Sequence, residues 1–159
     1  MSIRISELNE CDREWALRLI TESWGSTKMV IRGVLYDMET LPGFVAHIEG
    51  KPVGLITYRI SDGECEVMSL DSVIEGKGVG TALIDAIRNA AVRSGCRRVL
   101  LITTNDNLHA LRFYQKRGFT LSAIYPNALE QSRKLKPEIP LTGIDGIPLR
   151  DEIELEIIL

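Results

Sequence analysis

Basic charge, metal-ligand spacing, histidine and long apolar runs are all scarce in this chain, and each scarcity removes a class of function. Its 19 lysines and arginines are outnumbered by 22 acidic residues, for a net charge of −3. No global basic field therefore points to nucleic acid. Cys11, Cys65 and Cys96 are scattered and form no CxxC pair. That spacing argues against a metal site and suits reduced thiols in the cytoplasm, each read as packing rather than chemistry. The two histidines, His47 and His109, have no partner visible in the sequence and are read as structural. No apolar stretch reaches the length needed to span a bilayer. The opening residues MSIRISELNE also lack the apolar core of a secretory leader. Neither an internal repeat nor a low-complexity segment is present. The expectation is a single globular domain over residues 1–159, long enough to bury a core and cytoplasmic in location.

Hydrophobic periodicity orders what remains. IRISEL alternates and reads as a first strand, and CDREWALRLITESW as a helix. KMVIRGVLYDM reads as a second, weaker helix. Residues 41–73 read as three strands, with EGK and SDGE supplying the turns of a β-meander. A helix to about Ser94 follows, its apolar positions Val79, Leu83, Ile87, Ala90 and Ala91 at helical spacing and Gly95 as its stop. RRVLLITTN is continuously apolar at its centre, as in a strand covered on both faces. NLHALRFYQKRG reads as a helix, FTLSAIYP as a strand, NALEQSRKL as a further helix and EIELEIIL as the last strand. The fold class is α+β: a mixed, mostly antiparallel central sheet flanked by helices, with a βαβ core.

The stretch EGKGVGTALIDAI carries the strongest local signal. Gly76, Gly78 and Gly80 alternate directly before a helix. A helix N-terminus offers backbone N–H groups without internal partners together with partial positive charge. Glycines there admit unusual φ and let a bulky anion approach the backbone. The plainer reading is a tight strand-to-helix turn; three glycines at alternate positions favour a phosphate or pyrophosphate. GKGVGT lacks the Gly-Lys-Ser/Thr of a Walker loop, and the third glycine of GxGxxG is missing as well.

LDSVIEGKGVGTAL instead resembles motif A of the GNAT superfamily of N-acetyltransferases, Arg/Gln-x-x-Gly-x-Gly/Ala. Downstream, Asn107, Ala110, Tyr114, Gly118 and Phe119 fit the family's Asn-x-x-Ala-x-x-x-Tyr-x-x-x-Gly-Phe pattern. The resemblance is good over roughly residues 40 to 125. It implies acetyl-CoA as co-substrate, with no metal. The pyrophosphate would be held by the loop from Gly76 through Lys77, Gly78, Val79, Gly80 and Thr81. One departure is that Glu75 occupies the Arg/Gln position, where a carboxylate is repelled by pyrophosphate by about 1 kcal/mol. Lys77 restores positive charge beside it.

Acetyl transfer to an amine requires a base for the amine, donors for the developing oxyanion and an acid for the leaving thiolate. In ECEVMSL the strand period places Glu64, Glu66, Met68 and Leu70 on one face and Cys65, Val67 and Ser69 on the other. Two carboxylates on one face make sense if that face opens into a cleft, so Glu66, then Glu64, are the candidate bases. They also fit as solvent-facing residues at a strand start. Arg97 and Arg98 read as solvated at a strand start, with contact to an adenosine phosphate as the alternative. The resemblance implies backbone donors where this strand is bulged, around Ser69 and Leu70, and it makes Tyr114 the acid. Tyr114 otherwise packs its helix. Asn107 is ordinarily a cap and in the family also bonds the pantetheine arm. Both roles are compatible.

In the family the early helices and late loops shape the acceptor pocket, here around the insert at 125–150 and Trp24 and Tyr36, two aromatics that fit core packing equally well. No charge cluster selects between a small amine, a peptide N-terminus and a lysine side chain. The implied partners are acetyl-CoA and an amine, and homodimers are frequent in the family. Two rivals stand beside the enzyme: a catalytically weak acyl-CoA-binding module, and a generic phosphate binder.

Overall fold

A computed structural model describes residues 2–159. The elements run β1 (Ile3–Glu7), α1 (Glu10–Trp24), β2 (Lys28–Ile31), β3 (Val34–Asp37), β4 (Gly43–Ile48), β5 (Lys51–Ser61), β6 (Glu64–Ser72), α2 (Val79–Arg93), β7 (Arg98–Thr104), α3 (Leu108–Lys116), β8 (Thr120–Tyr125), α4 (Ala128–Leu135) and β9 (Glu152–Ile158). Seven strands form a mixed sheet in the order β1-β4-β5-β6-β7-β9-β8, and β2 and β3 form a separate pair. This is the expected α+β class.

The chain divides into two compact units. The first holds the residues through Thr27 together with Asp37–Val99 and Ile158–Leu159; the second holds Lys28–Tyr36 and Leu100–Ile157. In the first, α1 is capped by the Asn9 side chain, which accepts from the Asp12 N–H, and it ends at left-handed Gly25. β1, β4, β5 and β6 pair antiparallel in succession. Their apolar residues Val45, Ala46, Leu55 and Ile56 are buried, as are Leu83, Ile84, Ile87 and Ala91 of α2. Gly54 sets how closely the helix approaches: a Cβ there would lie 2.5 Å from Val79 Cγ1. The absence of a side chain on β5 thus seats the first residue of α2 on the sheet. Gly95, at φ 73, ends that helix, with the Cys96 N–H closing onto the Ala91 carbonyl at 2.9 Å.

KMVIRGVLYDM is not a helix but the β2–β3 hairpin. Arg32 and Gly33 between the strands both have positive φ, 50° and 73°. That is the signature of a two-residue primed turn, whose twist matches paired strands. Flanking Val30, Ile31, Val34 and Tyr36 have the β-branched and aromatic character that strands favour. In the second unit the long connection before β9 is tied down by half-buried polar groups. The Arg133 guanidinium donates to the carbonyls of Pro140 and Leu149 at 2.7 and 2.6 Å. Asn105 accepts from the Arg150 and Asp151 N–H groups at 3.0 and 2.9 Å.

Candidate active site

The glycine loop belongs to the first unit. Gly76 and Gly78 both adopt left-handed φ, 73° and 80°, so each is required by the backbone. Gly78 is the N-cap of α2 and no side chain caps it; no acidic residue occupies the first turn. A Cβ built on either glycine would meet nothing within 4 Å. Glu75, Gly76, Lys77 and Gly78 are all exposed. A helix entrance of uncapped, accessible amides beside open space fits a pyrophosphate, and Glu75 sits in solvent next to it.

β6 carries the candidate bases, and its pairing with β5 alters the reading of its faces. Thr57 opposes Ser69 whereas Tyr58 opposes Val67, so Met68 is an extra residue with no counterpart on β5. Such a bulge reverses the alternation beyond it. Ser69 consequently shares a face with Glu66: its hydroxyl bonds that of Thr57 at 2.6 Å, and Glu66 pairs with Arg59, two residues further along β5, at 3.2 Å. Leu70, opposite Ile56, turns to the side of Cys65 and Val67. The strict alternation expected from the sequence therefore fails at Met68. The irregularity itself falls beside Ser69 and Leu70, where the family resemblance places the oxyanion donors.

Neither glutamate depends on an open cleft to offset its desolvation. Glu66 is buried and ion-paired with Arg59. Glu64 accepts from Arg98 Nε and lies 3.3 Å from Arg97 Nη2. Its carboxyl is held below the usual range, first by the Arg98 hydrogen bond; burial opposes this, and the charges of Arg98 and Arg97 add to the lowering. Arg97 and Arg98 thus act as counter-ions, not merely as solvated residues. Burial drives the Cys65 thiol up to about 12, with Cys96 and Glu66 adding to the effect, so it stays protonated and is no acyl carrier. All three cysteines are free.

In the second unit, Asn107 caps α3, accepting from the Ala110 N–H at 3.1 Å. Tyr114 is buried on the inner face of that helix, edge-on to Phe113 and Phe119 with ring centroids 5.1 and 5.4 Å away. The packing role is therefore present whatever else the phenol does. Trp24 is 41% exposed and donates its indole N–H to Asp71 at 3.0 Å, so it is not a core residue. His47 is buried with Nε2 3.2 Å from Asp12, a partner 35 residues distant in sequence that no local pattern reveals. Among the described residues, no group of three His, Cys, Asp or Glu side chains gathers to hold a metal ion, and no helix is long and apolar enough to cross a membrane.

The profile of the Acetyltransferase (GNAT) family matches residues 7–119. The chain belongs to that family and is an acyltransferase. It is 45% identical over 146 residues to the protein YdhI of Bacillus subtilis (strain 168), covering 91% of each. Among solved structures, a Bacillus subtilis acetyltransferase in complex with CoA matches with a TM-score of 0.74 at 21% identity, over 99% of each chain. A GNAT family acetyltransferase from Elizabethkingia anophelis with acetyl-CoA bound matches at 0.70 and 16%, over 99% of this chain and 98% of that one. At such identities these likenesses establish the fold.

Proposed function

We propose that this acyltransferase moves an acetyl group from acetyl-CoA directly to a primary amine in the cytoplasm. The observation that carries the reading is the entrance to α2: two left-handed glycines, an uncapped helix N-terminus and open space beside them. Backbone amides of Gly76, Lys77, Gly78, Val79, Gly80 and Thr81 bind the pyrophosphate, and Asn107 holds the pantetheine arm while still capping α3. Acetyl-CoA supplies the activated thioester. Around it, Glu66 takes the proton from the amine, directly or through water, and backbone N–H groups near Ser69 and Leu70 stabilise the developing negative charge. Tyr114 returns a proton to the departing sulfur; a phenol is protonated at neutral pH and donates well. Glu64 is the weaker candidate base, because its two arginines stabilise the charged form and so reduce its appetite for a proton.

Calorimetric titration with acetyl-CoA, with Gly78→Trp as the control, tests the first step. Micromolar binding lost in the variant is expected; no binding by the wild type sinks the proposal. With an amine panel, Glu66→Gln should lower kcat/KM by roughly 10²-fold or more and Glu64→Gln much less. The reverse order would exchange their roles.

A further inference from the structure

The second unit contains a cavity of about 430 Å³ that is lined in part by the late insert and by none of the candidate catalytic residues. It is lined by Arg32 of the β2–β3 turn, by Ala128, Gln131, Lys134 and Leu135 of α4, and by Glu152 at the start of β9. Its size is that of a pocket for a small molecule.

Glu152 is the unusual member. Its side chain is only 3% exposed. One carboxylate oxygen, Oε2, accepts from the Arg32 backbone N–H at 3.2 Å. The other, Oε1, is buried and takes no hydrogen bond. The Arg32 guanidinium stands 3.7 Å from it, beyond hydrogen-bonding reach. Arg32 is held there from two sides: its guanidinium lies 3.3 Å over the Tyr125 ring, and its backbone is fixed at φ 50 by the hairpin turn. A buried carboxylate oxygen without a donor is costly, and such groups in a folded protein call for an explanation.

A ligand donor facing Oε1 would supply one. An amine with no other charge would meet Arg32 and Lys134 as well as Glu152, two cations against one carboxylate. A carboxylate with no amine would suit those cations but leave Oε1 unsatisfied. We infer that this cavity binds a small zwitterion, an amino acid or an amino-carboxylate of similar size. Its ammonium donates to Glu152 Oε1, its carboxylate faces Arg32 and Lys134, and its aliphatic part lies against Leu135 and Ala128. This inference does not rest on acetyl transfer and holds or fails separately from it.

The test is thermal shift and calorimetry on the full chain with the twenty proteinogenic L-amino acids at millimolar concentration. At least one should bind at unit stoichiometry and raise Tm. For the tightest, the amine lacking the carboxylate and the acid lacking the amine should each bind about tenfold or more weakly. Lys134→Ala, an exposed position whose change leaves the fold intact, should weaken binding by a similar factor, and so should Glu152→Gln. The inference is overturned if no amino acid binds, if either single-charge analogue binds as tightly as the amino acid, or if binding persists unchanged in Lys134→Ala.

Discussion

Replacing Gly54 by alanine should destabilise the first unit by a predictable route. The new Cβ would lie 2.5 Å from Val79 Cγ1, 3.1 Å from Leu83 Cδ1 and 3.4 Å from the Asp71 carbonyl oxygen. Apolar contacts are comfortable at about 3.5–4.0 Å, so the closest is short by roughly 1 Å. Val79 cannot simply swing aside, because a β-branched residue in a helix has essentially one χ1 rotamer. The helix must lift from β5 or the valine must strain, and overpacking of this kind costs about 1–3 kcal/mol. For a chain of this length each kcal/mol corresponds to roughly 2–4 °C in Tm. Val79→Ala alone removes two buried methyl groups and should cost about 1.5 kcal/mol or more. In the double variant the alanine at 54 occupies space that the valine vacated. The combined loss should therefore fall short of the sum by about 1 kcal/mol or more, read as urea midpoints at constant m-value. Additivity within about 0.3–0.5 kcal/mol would refute this account of Gly54. Because Val79 directly follows Gly78, Gly54→Ala should also weaken acetyl-CoA binding, and Val79→Ala should partly restore it.

Two further outcomes follow from the charges and thiols of β6. Glu64 titrates below its unfolded value of about 4.3, so its contribution to stability is present above that pH and disappears as pH falls through the folded value. Glu64→Gln should therefore be less stable than wild type at pH 7, with the gap narrowing below about pH 4; a gap independent of pH would show that the two arginines do not hold this carboxylate. A thiol reagent such as DTNB should react promptly with one cysteine, exposed Cys11, in the native protein and with all three in denaturant, since Cys65 and Cys96 are buried. Rapid native reaction of Cys65 would contradict its elevated thiol pKa.

The elements most legible in the sequence are those specified locally. The glycine loop, α2 and the meander are marked by period and turn residues within a dozen positions, and their boundaries fall close to the expected ones. The β2–β3 hairpin was hidden because its signal is a turn: Arg-Gly is not among the usual hairpin dipeptides, and without it KMVIRGVLYDM offers apolar residues at both helical and strand spacing. The site was legible as a set of residues rather than as a set of relations. Glu64 meets Arg98 across 34 residues and His47 meets Asp12 across a similar gap, distances over which pattern carries no information. The same is true of Met68, since a bulge is a property of two paired strands and cannot be read from one.

That unpaired Met68 is the one place where β6 could lose a residue and keep its faces. Without it, Ser69 would still oppose Thr57, Val67 would still oppose Tyr58 and Glu66 would still oppose Arg59, now as a regular ladder. Glu64 and Glu66 would keep their arginine partners, and only the local distortion of the backbone beside Ser69 would go. Removing Cys65 instead, with Glu66 held in register, would carry Glu64 to the side of Val67 and away from Arg97 and Arg98. The same loss of one residue is thus nearly silent for the side chains at one position and exchanges the two sides of the strand start at another.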